Sequence, residues 1–259
     1  MSVHRFSKSI ISIAALALVL SATSFAARAQ TQRSPSDVVR EFYKAMREHR
    51  FKDAWAMTIY KPAVEDLSAD EMEDLRSDFE QKAAQVPAQI EITGEQIQGN
   101  IATVFVKVPI TESTPQVTSE PVNLISSGGF WIIGDEANQA IVKKAGRRFF
   151  LDALIEEHQS DIEDLLKRLI AVQIVYGAQH SGAFGDLQAL IAADLIAKES
   201  ADPKAIGYYF HITIAPDGKG YTASAEPARY GHTGKLSFWM DQTGAIKSAD
   251  HGGKPVQLK

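Results

Sequence analysis

Hydrophobic positions change their period along the chain, and the changes divide it into elements. Val38, Val39, Phe42, Tyr43, Ala45 and Met46 recur at helical spacing behind Ser34-Pro35-Ser36, where a serine can cap and a proline suits the first turn. A second short helix is predicted to hold Phe51, Ala54, Trp55 and Met57 and to end at Pro62. An acidic helix follows from Ser68 to Gln85, with Met72, Leu75 and Phe79 on one face. The period then shortens to two. Ile90, Ile92, Ile97, Ile101, Val104, Val106 and Val108 read as strands turned at Gly99-Asn100. Thr111–Ser119 is polar with Pro115 and reads as a long hairpin loop. Val122–Ile125 and Phe130–Ile133 read as a hairpin around Gly128-Gly129.

Helical spacing returns from Ile141 to Val175, with Gly146 as a candidate interruption. Acids such as Glu156, Glu157, Asp161, Glu163 and Asp164 occupy the other face. The heptad is too irregular for a coiled coil, so a solvated connecting helix is predicted. After a short Leu-rich helix, Phe210, Ile212 and Ile214 alternate with Tyr209, His211 and Thr213. Asp217–Gly220 turns the chain, Tyr221, Ala223 and Ala225 continue the alternation, and Asp241–Gly244 makes the next turn. Helices, then strands, then a helix and strands again is an α+β order.

The first residues change the picture of where the chain acts. His4, Arg5 and Lys8 precede an apolar run, Ile10–Leu20, and Ala27-Arg28-Ala29 offers a small-x-small cleavage site. Residues 1–29 are therefore predicted to be a removable signal peptide, with a periplasmic or secreted destination. No other stretch is apolar enough to cross a membrane. The chain has no cysteine, which excludes a disulfide framework and thiol chemistry and suits a bacterial periplasm. Of 27 basic residues, Arg5, Lys8 and Arg28 go with the signal. That leaves 24 against 32 acids, a net charge of about −8. An acidic surface repels phosphate backbones, so nucleic acid is not an expected partner.

Two resemblances emerge from particular residues. Ser36–Met46, Asp53-Ala54-Trp55 and Gly128-Gly129-Phe130-Trp131-Ile132-Ile133 resemble the nuclear transport factor 2-like family in its small exported branch. That resemblance implies a curved sheet wrapped by helices into a cone over residues 30–135. It also implies a possible pocket, lined here by Phe42, Trp55, Ile101 and Trp131. The family's enzymes place Asp, His or Tyr inside the cone. This chain turns Ile and Val inward and has no histidine between His49 and His158. About residues 165–250, within an expected domain of 136–259 that includes the long helix, resemble the globular part of type IV pilins and pseudopilins. Gln173-Ile174-Val175-Tyr176 ends the helix, and Phe184–Leu190 matches the short Leu-rich helix that follows. Gly207-Tyr208-Tyr209-Phe210, Tyr221–Pro227 and Ser237–Ile246 match the strands. That resemblance implies a long helix laid on a small antiparallel sheet. A foreign domain precedes the module, so polymerisation like that of a major pilin is not expected.

Candidate chemistry is sparse. The Gly218-Lys219-Gly220 stretch is a turn, with no following helix to hold phosphate, and no nucleophile elbow occurs. Some pseudopilins bind calcium near their last strands, and the matching carboxylates here are Asp241 and Asp250. The alternative is that Asp241 is a turn residue. His49 and His158 read as solvated helix residues, and Glu65-Asp66 and Asp70-Glu71 as a solvated helix start. Trp55, Trp131 and Trp239 fall on apolar faces and read as core. No cofactor is expected. The sequence supports a non-enzymatic exported binding or scaffold protein that meets cell-envelope proteins. The alternative is a small-ligand carrier or weak hydrolase using the cone pocket.

Overall fold

The computed structural model describes residues 33–111 and 114–256, the side chains of 108–118 aside. The expected signal segment lies outside the described residues. The fold is α+β, with two four-stranded antiparallel sheets.

Helix α1 (Pro35–Arg47) starts as predicted: the Ser34 side chain accepts the Asp37 N–H at 3.1 Å, and Pro35 sits in the first turn. The short helices α2 (Phe51–Ala56) and α3 (Lys61–Val64) follow. Pro62 lies in the first turn of α3 rather than ending α2. Its fixed φ suits a helix start, and the N–H it lacks has no partner there. The acidic segment forms two helices, α4 (Ala69–Asp74) and α5 (Arg76–Ala84), broken at Leu75. Around them Trp55 gathers an aromatic cluster. Its ring lies 5.4–6.1 Å from those of Phe42, Tyr60, Phe79 and Phe150.

Strands β1 (Glu91–Gln98), β2 (Ile101–Thr111), β3 (Thr114–Ser127) and β4 (Phe130–Ile133) pair in that order. Ala102, Val104, Val106 and Leu124 form one buried face, against Val38 and Val39 of α1. The predicted loop at Thr111–Ser119 is instead the distal half of a long hairpin. Lys107 pairs with Ser119, Pro109 with Val117 and Thr111 with Thr114. Ladder hydrogen bonds do not require an apolar side-chain pattern, so a polar run can stay paired beyond the core.

Helix α6 (Glu136–Ala145) covers Ile125 on the opposite sheet face through Val142. Gly146, at φ 54°, then ends it, as the sequence suggested. Helix α7 (Arg148–Gln179) runs for 32 residues, about 48 Å at 1.5 Å per residue. Its first turns supply Leu151 and Leu154 to the aromatic core. Its later turns supply Ile162, Leu166 and Leu169 to a second core. That core is closed by α8 (Leu187–Ala192), a 3-10 turn at Lys198–Ala201 and α9 (Pro203–Ile206). Beneath lies the sheet β5 (Tyr208–Ile214), β6 (Tyr221–Pro227), β7 (Leu236–Asp241) and β8 (Lys247–Asp250). Tyr208, Phe210, Ala223, Ala225, Phe238 and Met240 are its buried face. A long helix does lie on a small antiparallel sheet after residue 150. No helix among the described residues is long and apolar enough to cross a membrane.

Candidate functional site

The two carboxylates expected to share a cation stand at opposite ends of a strand pair. Asp250 faces Leu236 at the start of β7, whereas Asp241 ends that strand. Five residues separate those positions, about 17 Å along the strand. Each carboxylate is also occupied by its own turn. Asp241 accepts the Thr243 hydroxyl at 2.5 Å and its N–H at 2.9 Å, which holds its pKa below the usual value. Asp250 accepts the Gly252 N–H and the Tyr230 hydroxyl, each at 3.0 Å, with the same effect. Among the described residues no group of three or more His, Asp or Glu is arranged to hold a metal.

The four residues expected to line a cone pocket do not converge on a hollow. Phe42 and Trp55 meet within the filled aromatic cluster. Trp131 packs against the neighbouring core of Val38, Val104 and Leu124. Ile101 is 50% exposed and pairs with Ile125, on the sheet face opposite to Trp131. A cleft of 150 Å³ lies elsewhere, between Leu165, Arg168 and Val172 of α7 and the Leu195–Ser200 segment.

Polar side chains do converge where the β6–β7 loop meets α4 and α7. Arg229 donates to Asp74, whose side chain is 8% exposed, and His232 approaches the same carboxylate at 3.4 Å. Arg148 donates to the Gly231 carbonyl at 3.0 Å. The Gln159 side chain accepts the Lys235 and Leu236 N–H groups at 3.1 and 3.0 Å. His158 Nδ1 lies 3.0 Å from the Thr233 carbonyl, which can only accept, so Nδ1 carries a proton. His158 is thus tied into the loop rather than solvated, while His49 is exposed but lies in the turn after α1 rather than on a helix. Glu71 is buried rather than solvated. It closes a capping box with Ser68 and receives Arg147. Burial pushes up the carboxyl of nearby Asp78 in α5, and His158 and Lys82 oppose that push. These contacts join chain segments far apart in sequence, while Asp74 Oδ2 and His232 Nδ1 are buried without a hydrogen bond. No sequence signal could reveal the Asp74–Arg229 pair, because 155 positions separate its members.

Strand β5 forms one edge of the C-terminal sheet. Ala228 donates to the Gly207 carbonyl and Ala215 donates to that of Gly220, both at 2.9 Å, and the register between them is unbroken. Tyr209, His211 and Thr213 therefore turn their backbone groups toward β6, because hydrogen-bonded pairs alternate in an antiparallel ladder. Tyr208, Phe210, Ile212 and Ile214 turn theirs away from β6, with Tyr208 fully buried and the Lys198–Ala201 turn lying against the strand. Beside that edge, Tyr209 is 49% exposed, and the outward row continues through His211, Ser224, Trp239 and Lys247. The Lys247 ammonium sits 5.3 Å from the Trp239 ring centroid, so Trp239 is a partly exposed residue on the outer sheet face rather than core. The alternation of β5 is visible in the sequence. Its position at an edge follows only from the strand order.

No family model, curated protein or solved structure matches the chain.

Proposed function

We propose that this is a non-enzymatic, exported binding or scaffold protein of the bacterial cell envelope, acting through protein–protein contacts. The edge of β5 is its docking place. The observation that carries this reading is the row of backbone donors and acceptors that Phe210, Ile212 and Ile214 turn away from β6, beyond the buried Tyr208. An extended segment of a partner can add to such an edge, gaining main-chain hydrogen bonds from the strand and side-chain contacts from Tyr209 and Trp239. Export is supported by the Arg5–Ala29 sequence pattern, and the absence of cysteine agrees with it. A ligand carrier would need space beside Phe42, Trp55 and Trp131, where packed rings and aliphatic side chains stand instead.

Affinity capture from envelope extracts tests the reading, with the wild-type chain and His211→Lys as parallel baits. His211 is exposed, so the substitution alters the edge surface while the core stays filled. Specific proteins held by the wild type and lost by the variant are expected. Retention of nothing above background, or retention indifferent to the variant, overturns it.

A further inference from the structure

We infer that the cleft between α7 and the Leu195–Ser200 segment binds a small monocarboxylate with a short apolar body, its charge received by Arg168. The inference does not rest on the docking role of β5.

The first argument is the lining. Leu169 and Ile196, 0% and 7% exposed, belong to the C-terminal core, and the partly buried Leu165, Val172 and Leu195 pack against that core. All five side chains border the cleft. Those of α7 stand three or four residues apart, so they share one face of the helix with Arg168. The facing wall is the chain that leaves α8, where Leu195 donates to the Leu190 carbonyl at 3.0 Å and the 3-10 turn begins at Lys198. The space of 150 Å³ has room for an apolar body of about benzene's size.

The second argument is the state of the two polar groups that border this space. Arg40, Arg50, Arg76, Arg147, Arg148 and Arg229 each reach a carboxylate. Arg168 meets no carboxylate or carbonyl among the described residues. Asp164, one turn earlier on α7, is held by Lys167 at 3.3 Å instead. A chain with 32 acids and 27 bases has carboxylates to spare, yet none is placed here. Across the cleft Ser200 is 8% exposed, and its hydroxyl has no partner among the described residues. Lys198 and Glu199, beside it, lie 3.9 Å apart and offset each other, so Arg168 sets the sign of the mouth.

A carboxylate answers both groups. The planar guanidinium can donate two parallel hydrogen bonds to its oxygens, and the Ser200 hydroxyl is a further donor on the facing wall. A phosphate dianion would call for more cations than this mouth holds. An ammonium would meet Arg168 with like charge. The leucine, isoleucine and valine walls favour a hydrocarbon body over a polar one, and few polar groups fix its orientation, as in small-ligand sites generally.

Methyl-resolved NMR of the purified protein tests this, with pentanoate, pentylamine and pentanol as probes. Pentanoate is expected to shift the methyl signals of Leu169, Val172 and Ile196 and to saturate with a dissociation constant of about 1 mM. Pentylamine should bind at least about tenfold more weakly. Arg168→Gln should weaken pentanoate about tenfold and leave pentanol unchanged, and Arg168→Glu should reverse the preference toward pentylamine. Arg168 is exposed, so both variants should keep the wild-type circular dichroism. The absence of any methyl shift at ~20 mM pentanoate overturns the inference. So does pentylamine binding as tightly as pentanoate, or a pentanoate affinity indifferent to Arg168→Gln.

Discussion

The buried side-chain amide of Gln173 pairs with the backbone of Gly185 as a second peptide group would. Its Nε2 donates to the Gly185 carbonyl at 2.7 Å and its Oε1 accepts the Gly185 N–H at 2.9 Å. The residue is 2% exposed, so no water can take over. Gln173→Leu fills a similar volume yet orphans both backbone groups. It should cost about 1–3 kcal/mol, read as a lower urea midpoint with an unchanged m-value.

Gly207 packs against the His158 ring. At φ 70° it holds a left-handed conformation, and an added Cβ would lie 2.2 Å from His158 Nδ1. Gly207→Ala should displace the ring, break its bond to Thr233 and destabilise by more than about 1 kcal/mol. The His158→Ala change leaves room for that Cβ. In this background Gly207→Ala should cost clearly less, which a double-mutant cycle of melting temperatures would measure.

Asp74 takes Arg229 and His232 from the β6–β7 loop. Asp74→Asn should weaken the attachment by about 1–2 kcal/mol, discounted because the Arg229 side chain is 41% exposed. Amide exchange should then quicken first in residues 228–235.

Two acids nearby predict opposite responses to pH. Burial alone would raise the Glu71 carboxyl, but the Ser68 backbone N–H and Arg147 outweigh it, and the net shift is downward. A carboxyl held lower in the folded state stabilises above its ordinary value and loses that contribution as the pH falls through the folded one. Glu71→Gln should therefore destabilise at pH 7 and approach the wild type only once the pH has fallen through the lowered folded value. Burial raises Asp78, with His158 and Lys82 pulling the other way. Its ionised form weighs against the fold at neutral pH, a penalty relieved by acid. Asp78→Asn should raise the melting temperature at pH 7, with the gain fading in acid.

Asp241 and Asp250 lie too far apart to hold one ion, and each is engaged in its own turn. Melting temperatures in millimolar calcium and in chelator should coincide.

What the sequence reveals is what depends on neighbours along the chain. Ser34 and Pro35 mark the start of α1, Gly128-Gly129 the β3–β4 turn, and Phe210-Ile212 the buried face of β5, each through a local conformational or periodic demand. The misreadings come from demands that are not local. Thr111–Ser119 looks like a loop because its residues are polar, yet ladder bonds pair it. Leu75 breaks an apparently continuous helix at φ −89°, ψ −3°, while its side chain is 1% exposed in the aromatic core. Trp239 reads as core by its apolar neighbours, but alternation along β7 places it outside with Lys247. The Asp74–Arg229 contact and the edge position of β5 exist only once distant segments have met.

Because α7 places Leu151 and Leu154 in one core and Ile162, Leu166 and Leu169 in the other, neither half is a transplantable module. A cut within Leu151–Leu154 or within Ile162–Leu169 strips one core of part of its closing wall. Heating should thus melt both halves in a single calorimetric peak, and swapping either half into another protein would require bringing the rod along.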